Sequence, residues 1–417
     1  MSGFTRDAAG RAMLGGTLIR TLLEAAGVST PAYLYDLDAI EREARDMLAA
    51  LGDERHTVAY AVKANSAGSI VRTVAGAGAG AEVVSRGELE VALGCGVNPN
   101  RILASSVGKA DHELDAAIAS GIAAIQMESV EEISRVAARA RALGRVAPLS
   151  FRMNPGVTID THAHVATGHE DAKFGISLAD LGAAWDVADR DPSLRVAGVG
   201  AHVGSTLKQV SSYLDSARVV CRVARERLAS GKTLDFVDFG GGFGIDYGAG
   251  PIPRPAEFLA AARRLAEGEG LGALRIVVEP GRSMVAPHGV LVAGVIQEKR
   301  TRNGRWAFID AAMNDLIRPA LYGARHRIEP LDRAPAAPAW RVAGPVCESA
   351  DDFGEHALGE SVPAHVVIRD AGAYGFVMAS EYNGRPLPAE VFISRGSVKS
   401  VSPSPGRDAW VARRLSA

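Results

Sequence analysis

Over the first two-thirds of the chain, short apolar, β-branched runs alternate with longer Ala-rich segments of helical period. The runs predict strands at Val58–Val62, Ala81–Val84, Arg101–Ala104, Ala123–Met127, Leu149–Met153, Val196–Val203, Phe236–Phe239 and Arg275–Glu279. Between them, Gly87–Leu93, Val130–Leu143 and Ser211–Leu228 carry apolar residues three or four apart, one face of a helix. Strand–helix alternation implies parallel strands joined by crossover helices. Eight such units in about 230 residues fit one (β/α)8 TIM barrel, for which about 250 residues is typical. A doubly wound open sheet is the competing architecture, and the count of eight favours the barrel.

After about residue 285 the helical period fades. Strand-like runs follow at Gly289–Glu298, Arg305–Ile309, Trp340–Val342, His365–Arg369 and Glu390–Ser394, separated by turns and by prolines such as Pro335, Pro338, Pro363, Pro386 and Pro388. This texture predicts a C-terminal antiparallel β domain of sandwich or barrel-like form. The segment ending in Pro31-Ala-Tyr-Leu-Tyr35 adds a strand to it. The expected division is a barrel over 36–285 and a β domain built from 1–35 and 286–417.

Charge narrows the functions available. The chain has 417 residues, with 46 Lys and Arg against 48 Asp and Glu, a formal net charge of −2. No basic excess forms a nucleic-acid footprint. The longest apolar stretches, such as Gly289–Ile296, fall well short of the roughly 20 residues that span a bilayer, and the first residues show no secretory pattern. Cys95, Cys221 and Cys347 are too few and too scattered for a disulfide framework or a zinc site. A cytoplasmic protein is expected, without membrane or nucleic-acid partners.

In a barrel of this kind chemistry sits at the C-terminal ends of the strands. The first strand runs into Ala61-Val-Lys-Ala-Asn65, where Lys63 is either a solvated strand end or an amine that forms a Schiff base with an aldehyde. The sixth ends in Ala201-His-Val-Gly-Ser205, where a lone histidine such as His202 is more often a satisfied core residue than a catalyst. The seventh enters Asp238-Phe-Gly-Gly-Gly-Phe-Gly-Ile-Asp-Tyr247, whose glycines either make a tight turn or let backbone N–H groups approach an anion. No Gly-Lys-Ser/Thr follows, so this is not a P-loop. The eighth ends in Val278-Glu-Pro-Gly-Arg-Ser283. Loops seven and eight are the usual phosphate site of such barrels, and both carry glycine here. An amine, a phosphate cradle and a carboxylate at one mouth are what pyridoxal phosphate requires.

These motifs resemble those of the fold-type III decarboxylases that use pyridoxal 5'-phosphate, and within them the diaminopimelate decarboxylase branch. The resemblance runs from about residue 30 to 400. It rests on Tyr60-Ala-Val-Lys-Ala-Asn65, Phe151-Arg-Met-Asn-Pro-Gly-Val157, Lys173-Phe-Gly-Ile176, Phe239-Gly-Gly-Gly-Phe-Gly-Ile-Asp-Tyr247 and Glu279-Pro-Gly-Arg282. Further on it includes Met313-Asn-Asp-Leu-Ile-Arg-Pro-Ala-Leu-Tyr322, Gly344-Pro-Val-Cys-Glu-Ser349 and Ala371-Gly-Ala-Tyr-Gly-Phe376.

The resemblance implies that Lys63 holds the cofactor, His202 stacks on its ring and Glu279 meets the pyridine nitrogen. Gly240, Gly241 and Gly242 would wrap the phosphate, with Ser205, Gly281, Arg282 and Tyr374 completing the cofactor set. Arg282, Arg318, Tyr322 and Tyr374 would bind the substrate, Glu348 and Ser349 its distal amino end, and Cys347 would transfer a proton. It also implies a homodimer in which Cys347 and Glu348 come from the second copy. The substrate implied is meso-2,6-diaminopimelate, decarboxylated at its D-centre to L-lysine. Its distal zwitterion suits two arginines and a glutamate, because arginine takes a carboxylate bidentately. Competing readings are a decarboxylase of another amino acid, a silent regulatory paralogue and a racemase. The family often has His-x-His where this chain has Gly200-Ala-His202, a small residue where it has Arg86, and Gly where it has Ala312. His162 and His164 lack companions with ligand spacing, so no metal is expected. The stretch from Thr158 to Lys173, rich in His and Gly, has the composition of a lid.

Overall fold

The computed structural model describes residues 3–157, 173–302 and 304–416. It divides into two compact units. One comprises Glu43–Ile245 and Pro251–Ser283, the other Met1–Arg42, Asp246–Gly250 and Met284–Ala417. The His162/His164 pair and the lid-like stretch, apart from Lys173, lie outside the described residues.

The first unit is a closed barrel of eight parallel strands. In chain order they are Thr57–Ala61, Gly80–Val83, Ile102–Ala104, Ala124–Met127, Ala147–Arg152, Leu194–Gly200, Phe236–Gly241 and Arg275–Glu279. All eight expected strands form, each with bounds within three residues of the sequence reading. The barrel closes where the eighth strand pairs with the first, Val277 opposite Thr57. The crossover helices start as the sequence dictates. Ser85 accepts the Glu88 N–H at 3.2 Å while Glu88 accepts the Val84 N–H at 2.9 Å, and Ser129 caps the helix Val130–Ala142. The two serines each satisfy a backbone donor that the first helical turn leaves open, and Glu88 ties down the residue ahead of the cap.

Inside the barrel, Ala59, Leu103, Ala124, Ala197, Phe236 and Val277 pack as one buried cluster. Small residues dominate it because Phe236 fills the space. A Cβ at Gly198 would lie 2.3 Å from the Phe236 ring, so that glycine is required by packing rather than by its backbone angles.

The second unit is built on a nine-stranded sheet and a separate three-stranded one. The strand Ala32–Asp36, expected from the Pro31–Tyr35 segment, occupies the middle of the large sheet. It pairs antiparallel with Gly289–Thr301 and parallel with Ala389–Ser394. Gly304–Ile309 also runs parallel to Ala339–Ala343. The sheet is therefore mixed, where the sequence texture predicted an antiparallel domain. The reason lies in connection length: strands joined through long excursions escape the antiparallel constraint of a tight hairpin. Leu14, Ile19, Leu34, Val290, Val292, Val367, Val391 and Ile393 form its buried core. The N-terminal strands Phe4–Arg6, Ala12–Leu14 and Thr17–Leu18 and the C-terminal helix Gly406–Leu415 are additions to the sequence reading. Among the described residues no helix is long and apolar enough to cross a membrane, and no group of three His, Cys, Asp or Glu could hold a metal ion.

Candidate active site

The ends of the sixth, seventh and eighth barrel strands are drawn together at glycines. Gly240 and Gly242 have φ of +65° and +89°, a region that favours glycine. A Cβ at Gly241 would lie 1.9 Å from the Glu279 carbonyl oxygen, and one at Gly242 1.9 Å from that of Gly204. The loop after the sixth strand is stitched to the glycine loop by Leu207 N–H to Gly242 O at 2.9 Å and Gly244 N–H to Leu207 O at 3.0 Å. Beside them Thr206 has φ +68°. A β-branched residue there is strained, and such strain persists where the surroundings over-determine it. Gly281 packs against the turn that carries Lys63: its Cβ would meet Ala61 Cβ at 3.0 Å and Ala64 Cβ at 3.1 Å. The Ala61 N–H donates to Pro280 O at 2.9 Å.

On this frame the polar residues converge. Lys63 Nζ lies 2.7 and 2.9 Å from the two carboxylate oxygens of Glu82. Glu82 is buried at the end of the second strand and also accepts the Ser105 hydroxyl. Gln126 Nε2 donates to Glu279 Oε1 at 2.7 Å and to Asp238 Oδ2 at 2.9 Å. His202 Nδ1 accepts the Gly241 N–H at 3.2 Å and lies 4.0 Å from Glu279 Oε2. That bond assigns the proton of the neutral ring to Nε2. Burial, then the Arg152 and Lys63 charges, hold His202 well below the usual histidine range. Burial and the neighbouring Glu82 carboxylate push Glu279 up, against the pull of Lys63.

The amides of Gly240 and Gly241 face inward. Gly240 N–H donates to Asp238 Oδ1 at 2.8 Å and Gly241 N–H to His202. The first two glycines thus hold the acid and the imidazole in place, a use the spacing alone does not reveal. Ser205 and Arg282 are half-buried on the loops that follow the sixth and eighth strands.

The second unit carries the remaining sequence-predicted residues. Arg318 is buried, its Nη1 2.7 Å from His326 Nε2 and its guanidinium 5.0 Å from the Tyr247 ring centre. Tyr322 ends the short helix that Arg318 begins. Cys347, Glu348 and Ser349 are exposed in one loop. Buried Asp351 braces that loop by accepting the N–H groups of Met313 and Val346 at 2.7 and 2.8 Å. Tyr382 Oη donates to Glu348 Oε1 at 2.5 Å, and Asn383 Nδ2 to Cys347 Sγ at 3.4 Å. Tyr374 is half-buried with φ +55°.

Sequence reasoning passed over Glu82, Ser105, Gln126, Asp238, Tyr382 and Asn383. For Glu82 and Gln126 a signal was present: each is a polar residue inside an otherwise apolar strand. Asp238 stands at the head of the glycine motif and needed only its burial to stand out.

Comparison with known proteins places this geometry. Residues 37–286 match the family described as pyridoxal-dependent decarboxylase, pyridoxal binding domain. The diaminopimelate decarboxylase of Zymomonas mobilis is 38% identical over 377 residues, 89% of each chain. That of Pseudomonas aeruginosa is 38% identical over 368 residues, 87% of this chain and 88% of the other. Among solved structures, the diaminopimelate decarboxylase of Helicobacter pylori complexed with L-lysine superposes with a TM-score of 0.87 at 33% identity, covering 93% of this chain and 98% of that one. The M. jannaschii diaminopimelate decarboxylase in co-complex with L-lysine gives 0.91 at 31% identity, covering 99% and 98%. With a barrel that carries Lys63, His202 and Glu279 on its strand ends and relatives matched over nearly their whole length, the chain belongs to the diaminopimelate decarboxylase family of pyridoxal-dependent decarboxylases.

Proposed function

We propose that this enzyme decarboxylates meso-2,6-diaminopimelate at its D-configured carbon, releasing L-lysine and carbon dioxide, with Lys63, His202 and Glu279 serving its pyridoxal phosphate. The observation that carries this reading is the set of groups gathered at the strand ends of one barrel. They are an amine held by Glu82, an imidazole held well below the usual histidine range, and a buried carboxyl bonded by the Gln126 amide. The donor set fits the cofactor: the amine suits its aldehyde, the glycine turns bring the strand ends together with no side chain between them, and an acid suits its ring nitrogen. When bound, pyridoxal phosphate supplies an electron-poor ring that takes up the electron pair left by departing carbon dioxide.

The chain's own residues set the conditions for that chemistry. Glu279 holds a proton at the ring nitrogen, and Gln126 Nε2 fixes the carboxyl that does so. His202, kept neutral, offers a flat face without adding positive charge. Gly240, Gly241, Gly242, Ser205, Gly281 and Arg282 enclose the phosphate, and Tyr374 flanks the cofactor. Arg282, Arg318 and Tyr322 take the distal carboxylate of the substrate, while Glu348 and Ser349 take its distal ammonium. A substrate lacking that carboxylate leaves arginine charge unpaired, which discriminates by orders of magnitude. Cys347 Sγ delivers a proton to the reacting carbon. The working form is a cytoplasmic homodimer in which Cys347 and Glu348 act for the other copy.

Carbon dioxide release measured side by side with diaminopimelate, lysine and ornithine tests the reading. Release from diaminopimelate alone is expected, and none from it would end the proposal. Mixing inactive Lys63→Ala and Cys347→Ala chains restores activity if the two copies share residues. A mixture that stays inactive after subunit exchange refutes the sharing.

A further inference from the structure

Asp238 is 1% exposed. It sits one strand away from Glu279, and the two carboxyls take hydrogen bonds from the same Gln126 amide nitrogen, at 2.9 and 2.7 Å. Two ionised carboxylates in so enclosed a place repel strongly, and one donor cannot neutralise both. A carboxyl pair held this way keeps one proton between its members.

We propose that Asp238 and Glu279 share a single proton clamped by Gln126, and that Asp238 is thereby the positioning residue that keeps Glu279 aimed and singly charged. The surroundings favour this division. Asp238 is fixed on its far side by the Gly240 N–H at 2.8 Å, so only Oδ2 is directed to the shared amide. Burial and the Glu279 charge push Asp238 well above the usual carboxyl range, while the Asp238 hydrogen bond works to lower Glu279. In the proposed division Asp238, the more strongly raised of the two, carries the proton and Glu279 the charge. The other charged groups acting on the pair are Glu82, which opposes ionisation of both, and Lys63 and Arg152, which favour a charge on Glu279. Arg275 bears on Asp238. Nearby stand His202, 4.0 Å from Glu279, and Tyr213, itself held protonated by burial and by both acids. Lys63 and Arg152 thus favour Glu279 as the bearer of the charge.

The inference of a shared proton stands on the protein alone. Its catalytic consequence rests on Glu279 serving the cofactor nitrogen as proposed above. Infrared difference spectra of the full-length protein, with and without cofactor, test the first part. A protonated-carboxyl carbonyl band is expected to persist above neutral pH and to vanish in Asp238→Asn. Absence of that band in the wild type overturns the shared proton. For the second part, Asp238→Ala is expected to lower kcat about 10- to 100-fold, the usual consequence of losing a hydrogen bond to a charged group. It should also shift the pH dependence of the bound-cofactor absorbance. Asp238→Asn, whose amide still donates to Glu279, should recover most of both and covers the case in which the alanine variant fails to fold. An Asp238→Ala enzyme that folds with a wild-type absorbance titration, or an Asp238→Asn enzyme that folds and recovers neither kcat nor the titration, overturns the link between Asp238 and the cofactor. Glu279→Ala separates the two readings: if its cofactor absorbance is also unchanged, the assignment of Glu279 to the ring has failed, whereas a changed one places the failure on Asp238.

Discussion

Gly241→Ala isolates the barrel's strand-end geometry from its chemistry, because it removes no polar group. Gly241 and Glu279 are register partners on the seventh and eighth strands. The new methyl carbon would lie 1.9 Å from the Glu279 carbonyl oxygen. Non-bonded carbon and oxygen do not approach within about 3.0 Å, so the two strand ends must part by roughly 1 Å. The displaced residue is the one whose side chain is fixed at 2.7 Å from Gln126. With Glu279 in its proposed role at the cofactor, a shift of that size costs about 100-fold in rate. The strain of overpacking adds about 1–3 kcal/mol of lost stability. Carbon dioxide release from diaminopimelate reads the rate, cofactor absorbance the occupancy, and thermal unfolding the stability. Gly94→Ala is the control, since nothing lies within 4 Å of a Cβ there. It should stay within about twofold of wild type and gain slightly in stability, as Gly-to-Ala in a helix does. A Gly241→Ala enzyme with near wild-type kcat and cofactor content would refute the reasoning.

Tyr382→Phe removes the phenol that donates to Glu348 at 2.5 Å; KM for diaminopimelate should rise about tenfold while unfolding temperature barely moves. Gly198→Ala drives a methyl into the Phe236 ring, 2.3 Å away, and should destabilise the barrel by about 1–3 kcal/mol in chemical denaturation. Glu390, buried beside the Tyr35 hydroxyl at 3.0 Å, is pushed up by burial from 4.5 to about 7. The folded state therefore binds this proton more tightly than the unfolded chain. Its contribution is full below pH 4.5 and is lost as pH rises through 7, by roughly 3 kcal/mol. Glu390→Gln should flatten that decline in unfolding free energy measured from pH 4 to 8, and a slope as steep as wild type's would contradict it.

The barrel was legible because its strands are covered on both faces, so apolar residues run unbroken and stand out from the helical period. The β unit was harder. Asp352–Ala357 and Ser397–Ser402 are edge strands of the large sheet, with few buried residues and no apolar run. Pairing direction was not written in any local pattern, since Ala389–Ser394 finds its parallel neighbour more than 350 positions away. At the candidate site, Lys63, His202, Glu279 and the glycines were visible because each breaks the texture at a strand end. Gln126 and Asp238 lie within strands and look like exceptions until the barrel closes and brings them to one carboxyl pair. The inward amides of Gly240 and Gly241 belong to backbone geometry, which composition does not encode.

The middle strand of the large sheet, Ala32–Asp36, is made early, yet both its neighbours, Gly289–Thr301 and Ala389–Ser394, are made after the entire barrel. On the ribosome, the barrel's last strand emerges while that early segment still has no edge to join. Synthesis thus imposes a folding order: barrel first, then a sheet assembled around a waiting strand, with Ala389–Ser394 arriving as its final clasp. Nascent chains in which the barrel but not yet Gly289–Thr301 has emerged should hold a protease-resistant barrel beside an N-terminus that is still cleaved.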